Sequence, residues 1–161
     1  MIRSIRLFAV AVALFLSGTA FTFVTLNQTY VWNHYKMQIT VPDDFKVVRN
    51  SDENFEMKGD GMELFMDVFE KDITKDDMDE ATVAGAKAMK LNEIDAAHEL
   101  ATNGLEGYYV EGEKDGDRVM FAGLIDPGSH TNFFVAITFD DEDKTAEADA
   151  LRIMMSLRKI N

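Results

Sequence analysis

Residues 62–69 alternate so that Met62, Leu64, Met66 and Val68 share one side of an extended strand, while Glu63, Phe65, Asp67 and Phe69 share the other. The first side is wholly apolar and the second is half so. A strand with large apolar side chains on both sides belongs in a sheet covered from above and below. Two segments carry the pattern of a covering helix. The first opens at residues 74–76, where Thr74 offers a capping oxygen and acids at 76, 77, 79 and 80 suit the positive end of the helix dipole. Its expected stripe is Met78, Ala81, Gly85, Ala88 and Met89, whose small side chains allow a close approach to the sheet at Gly85. The second, residues 143–157, sets Ala146, Ala150, Ile153, Met154 and Leu157 on one stripe, with Lys144, Glu147, Asp149, Arg152 and Lys159 opposite.

Most of the remaining sequence reads as strands and tight turns. Met37-Gln38-Ile39-Thr40-Val41 alternates apolar and polar residues before Pro42-Asp43-Asp44. Tyr30-Val31-Trp32 predicts an earlier strand with Asn33-His34 as its turn. Short strands are expected at 45–49 and 55–58, followed by a turn at Gly59-Asp60-Gly61, where glycine accepts the positive φ of a tight hairpin. Residues 93–102 read as a strand, although Ala96-Ala97 and Leu100-Ala101 also suit a helix. Residues 105–113 and 118–126 predict a hairpin around Asp115-Gly116. After Pro127-Gly128 a third antiparallel strand carries Phe133, Val135, Ile137 and Phe139 on one face. The expected class is α+β.

The N-terminus indicates a destination. Arg3 and Arg6 precede an unbroken apolar run at 7–16 that ends in Ser17-Gly18-Thr19-Ala20, the layout of a signal peptide cut after position 20. The alternative is an inner-membrane signal anchor, because residues 21–26 prolong the apolar stretch toward the thickness of a bilayer. Ser17, Gly18 and the threonines at 19, 22 and 25 dilute that stretch, and no base follows until Lys36. With zero cysteines, a lipidated cysteine at the mature N-terminus is excluded, and so are thiol catalysis and thiolate metal sites. The expectation is a periplasmic or secreted protein, with residues 1–20 as signal peptide and 21–161 as a single domain.

Charge narrows the partners. Cleavage removes Arg3 and Arg6 but no acid, leaving 14 of the 16 bases against all 29 acids, a formal charge of 14 − 29, or −15. Such a surface repels nucleic acid and anionic lipid, so neither a nucleic-acid partner nor stable membrane insertion of the mature domain is expected. A hydrophobic content of 47% separates the chain from disordered acidic tails.

The chemistry-bearing residues support few specific sites. Asp140, Asp141 and Asp143 are weak metal candidates: they carry the oxygen donors Ca²⁺ prefers, but in a consecutive run that a helix cap already explains and explains better. Glu113, Asp115 and Asp117 alternate at a hairpin tip and are weaker still. His34, His98 and His130 have no spacing that pairs two imidazoles on a metal. Asp126, Ser129 and His130 supply the residue types of a hydrolytic triad without a Gly-x-Ser-x-Gly elbow. Met57, Met62 and Met66 follow strand parity, which favours core packing over a thioether site for Cu(I). No glycine-rich phosphate loop is present, and no catalytic residue or cofactor is expected. The principal candidates for partner contact are Phe21, Phe23, Tyr30, Trp32 and Tyr35, because an apolar segment left by signal cleavage must pack back onto the domain, the outcome favoured for Tyr30 and Trp32, or meet a partner.

The order of elements, together with Met37-Gln38-Ile39-Thr40-Val41-Pro42-Asp43-Asp44-Phe45, Gly104-Leu105-Glu106-Gly107-Tyr108-Tyr109 and the closing Met155-Ser156-Leu157-Arg158, resembles the PsbP-like superfamily from about residue 30 onward. The resemblance implies a three-layer α/β/α sandwich with a central, mainly antiparallel sheet. Members of that superfamily act as non-enzymatic binding subunits of photosystem II or as Ran-GTPase-binding import factors, and no catalytic residue is carried over. The expected function is a non-enzymatic, exported protein-interaction module of the bacterial cell envelope, with an unidentified envelope protein as partner. The alternative is a periplasmic protein that binds a small ligand or Ca²⁺ in a pocket beneath the acidic loops.

Overall fold

The computed structural model describes residues 25–69, 73–129, 131–143 and 145–161. The expected signal peptide, Phe21, Phe23, His130 and Lys144 lie outside the described residues. In chain order the strands are β1 (Gln28–Trp32), β2 (Met37–Val41), β3 (Lys46–Asn50), β4 (Asn54–Gly59) and β5 (Met62–Phe69). A 3-10 turn (Lys75–Asp77) leads into helix α1 (Met78–Ala88), followed by β6 (His98–Thr102), β7 (Leu105–Lys114), β8 (Asp117–Asp126) and β9 (Thr131–Phe139). Helix α2 (Ala146–Met155) and the short β10 (Arg158–Lys159) complete the chain.

Seven strands form one sheet in the order β3-β4-β5-β9-β8-β7-β6, every pair antiparallel. The remaining three form a second sheet in the order β1-β2-β10. Local chemistry explains the central hairpin: Asp115 and Gly116 both adopt positive φ, +56° and +98°, the turn whose twist matches that of the flanking strands. The result is the expected α+β class, with strands dominating.

The two-sided pattern of 62–69 finds both its partners. Met62, Leu64 and Met66 are buried in the main core, where the large sheet meets Ile153 and Met154 of α2 and Trp32 and Ile39 of the small sheet. On the opposite face a smaller cluster joins Ala86 of α1 to Val110, Val119 and Phe121. Helix α1 lies over β7 and β8, so it covers only part of that face. Its approach is close at Gly85, where an added Cβ would stand 2.8 Å from Phe121 Cε1 and 3.0 Å from Phe134 Cζ.

Four details differ from expectation. Residues 93–97 are not strand: Asn92 pairs singly with Glu113, Asp95 N–H donates to Glu111 O at 3.0 Å, and Lys90 and Glu93 have positive φ. The β1–β2 turn spans four residues, 33–36, instead of two, with Lys36 at φ +51°. The α1 stripe runs through Met78, Thr82, Gly85 and Ala86, leaving Ala88 exposed. Thr82 can face inward because its hydroxyl donates to Met78 O at 2.7 Å and satisfies itself on the helix backbone. Asp149, expected outside, is 1% exposed and pairs with Arg152 at 3.0 Å.

Candidate interaction surface

Strand β3 ends the seven-stranded sheet, and all five of its residues are exposed. Val47 and Val48 stand 39% and 63% exposed. The register against β4 slips between Val47 and Arg49, which marks Val48 as a bulge residue without a partner on β4. Beside it, Val48, Met57, Leu64, Phe65, Met89 and Ala136 help line a trough of about 330 Å³ on the part of the sheet that α1 leaves uncovered. Farther along this face Phe69 and Phe134 stack with ring centroids 3.8 Å apart.

The aromatic candidates lie along the seam where β1 approaches β3. Tyr30 is half-buried, its hydroxyl 2.6 Å from Gln28 Oε1 and 3.1 Å from Phe45 O. Tyr35 is also half-buried, with its ring 4.6 Å from that of Trp32 and 5.9 Å from that of Phe133. Trp32 takes the packing alternative: it is fully enclosed on Phe55 and Phe133, with its indole N–H donated to Ser51 O, and has no surface to offer a partner. The Asn50 amide crosses the same seam, donating to Val31 O at 3.0 Å and accepting from Asn33 N–H at 3.4 Å.

The acidic loops gather at one end of the sheet. A cleft of about 380 Å³ is lined by Asp44, Asp60, Asp140, Asp143 and Asp149, among others. Four of the five carboxylates are engaged within the fold, Asp149 by its pair with Arg152. Asp44 accepts from Asp60 N–H, and Asp140 accepts from Glu142 N–H at 2.9 Å. Asp143 accepts from both the N–H and the hydroxyl of Thr145, which hold its carboxyl below the usual carboxylate range. Asp141 lies 3.7 Å from Arg118, which also reaches Glu111 at 3.1 Å and Glu113 at 3.9 Å. Burial pushes the Glu111 carboxyl upward against the pull of Arg118. Among the described residues, no three His, Asp or Glu side chains converge to hold a metal ion.

The triad residue types have a local explanation. Ser129 Oγ donates to Asp126 Oδ2 at 2.6 Å, Gly128 N–H donates to Asp126 Oδ1 at 3.0 Å, and Lys159 lies 3.4 Å away. Asp126 thereby closes the 127–129 turn. His34 and His98 are exposed and separate, the former beside Tyr35 and the latter 3.9 Å from Asp95.

Sequence reading passed over β3 as an ordinary short strand. The signal was present in Lys46-Val47-Val48-Arg49-Asn50: two adjacent valines break alternation, and two bases stand without an acid inside a strongly acidic chain. No helix among the described residues is long and apolar enough to cross a membrane.

No family model and no curated protein matches the sequence. Several solved structures share the fold, among them the following two. A Bacteroides thetaiotaomicron protein superposes with a TM-score of 0.52 at 10% identity, covering 85% of this chain but 50% of its own, so this chain spans half its length. LpqN of Mycobacterium tuberculosis, described as involved in cell envelope biogenesis, superposes with a TM-score of 0.50 at 15% identity, over 76% of this chain and 82% of its own. At these identities the likeness is one of fold.

Proposed function

We propose that the chain is an exported, non-enzymatic protein-interaction module of the bacterial cell envelope, with a PsbP-like sandwich as its scaffold. The observation that carries this reading is the open end of the large sheet, where β3 and the neighbouring uncovered face present apolar groups and a strand edge to solvent. The export-type N-terminus and the likeness to LpqN support an envelope setting. Cross-linking in intact envelopes, followed by identification of the attached protein, tests the reading, and recovery of nothing but the chain itself counts against it. The acidic cleft favours a second reading, a cation carrier, which ranks lower because three of its carboxylates, Asp44, Asp140 and Asp143, already serve backbone N–H groups. A rise in Tm on adding Ca²⁺ would reverse that ranking.

A further inference from the structure

We propose that the edge of β3 binds an extended acidic strand from a partner protein by backbone pairing, with Lys46 and Arg49 selecting the partner's charge. The proposal rests on the interaction-module reading and supplies its surface and partner chemistry. A strand at the end of a sheet presents unpaired N–H and C=O groups, and an added strand gains affinity from them while alternate side chains set specificity. The Asn50 amide closes the far end of this edge against β1, leaving 46–49 as the accessible stretch. Val47 and Val48 are two of the three large apolar side chains exposed among the described residues, the third being Met155.

Charge decides the occupant. In a chain of formal charge −13, β3 carries Lys46 and Arg49 and no acid; among the described strands only the two-residue β10 is also net positive. The register sets Lys46 opposite Lys58 and Arg49 opposite Glu56, two residues apart on β4, so the bulge at Val48 leaves both bases on one face about 7 Å apart, the spacing of alternate carboxylates on an opposing strand. Arg49 lies 3.5 Å from Glu56 with its side chain 55% exposed, and exposed pairs of that kind are weak enough to re-pair. The same bases disfavour a second copy of β3 as occupant. Asp43 and Asp44 before the strand, and Asp52 and Glu53 after it, repel an acidic segment that overruns the edge, which fixes its register. The trough beside Val48 is available to an apolar side chain from the incoming strand.

The exported protein, isotopically labelled, is titrated at low salt with capped six-residue peptides that alternate valine with glutamate or valine with lysine. The expected result is shifted amide signals at 46–49 and at least roughly tenfold tighter binding of the glutamate peptide, the size of one good charge interaction. K46E with R49E reverses that order, and Val48→Pro, checked for an unchanged circular dichroism spectrum, abolishes binding. Equal binding of both peptides, shifts confined to other residues, or concentration-dependent self-association mapped to β3 would each overturn the proposal. Should Val48→Pro unfold the chain, the charge reversal decides. An envelope partner cross-linked through other residues removes this proposal and leaves the module reading intact, whereas peptide binding at β3 with no envelope partner does the opposite.

Discussion

The side chain of Ser156 stands opposite Thr40 and does for β2 what a strand backbone does elsewhere. Thr40 N–H donates to Ser156 Oγ at 2.9 Å, and that oxygen lies 3.0 Å from Thr40 O and 2.6 Å from Ile153 O. Strand β10 pairs Arg158 with Gln38 and Lys159 with Met37; continuing that register sets Ser156 against Thr40. The Ser156 N–H is already committed to Ile153 O in the last turn of α2, so the hydroxyl takes over the ladder. Ser156→Ala strips the Thr40 N–H of this partner at a part-buried site and is expected to cost about 1–3 kcal/mol. The measurement is the urea midpoint at unchanged m-value, and an unaltered midpoint would show that water replaces the hydroxyl without loss.

Trp32 holds the two sheets together from the inside. Its ring meets Phe55 and Phe133 at centroid separations of 6.4 and 6.2 Å. Trp32→Ala is expected to cost about 3–5 kcal/mol through the cavity it leaves. As the only tryptophan in the chain, Trp32 also reports on the folded state, with emission shifted to the blue and shielded from acrylamide until unfolding. Ready quenching of native emission would contradict its enclosure.

Two glycines mark approaches that tolerate no side chain. At Gly107 an added Cβ would lie 1.9 Å from Gly123 O, a backbone atom on β8 that cannot withdraw. Gly107→Ala is therefore expected to cost more than the roughly 1–3 kcal/mol usual for overpacking. Gly85→Ala gains about 1 kcal/mol of helix propensity but drives Cβ against the Phe121 and Phe134 rings, so a smaller net loss is expected. Thermal unfolding ranks the two variants, and greater damage from Gly85→Ala would mean that the aromatic rings are less able to shift than the strand backbone.

Local chemistry made much of this architecture legible. The Asp115-Gly116 turn, the parity of β5 and β9 and the stripe of α2 each depend on neighbours within a few residues. Less legible were polar side chains that solve their own burial. Thr82 reads as polar until its hydroxyl bonds the Met78 carbonyl, and Asp149 reads as exposed until Arg152 folds over it. The β2–β10 pairing escaped for another reason, since two residues after a helix carry no periodicity. For the candidate surface, composition displayed the bases of β3, but only the strand order reveals that they lie on an edge.

Asp126 and Glu111 give stability opposite dependences on pH. Burial pulls the Asp126 carboxyl upward, but the Ser129 hydroxyl, the Gly128 N–H and Lys159 outweigh it and hold the folded group below its ordinary 3.8. Its contribution is therefore present above 3.8 and lost as pH falls through the folded value. Glu111 is displaced the other way: burial, with Glu147 and Asp95 nearby, raises it above 4.5 despite Arg118. Its folded form favours the proton, so its contribution is complete below 4.5 and lost as pH rises through the folded value. Glu111→Gln retains an acceptor for Arg118 while removing the charge, and is expected to gain on the wild type as pH rises above 4.5. Asp126→Asn should show the reverse, a deficit at neutral pH that closes as pH falls below 3.8. Urea unfolding of the three proteins between about pH 3 and 7 separates the two effects, because each variant diverges from the wild type only above its own carboxyl's titration. Parallel stability curves for all three would mean that neither environment distinguishes the charged from the neutral carboxyl.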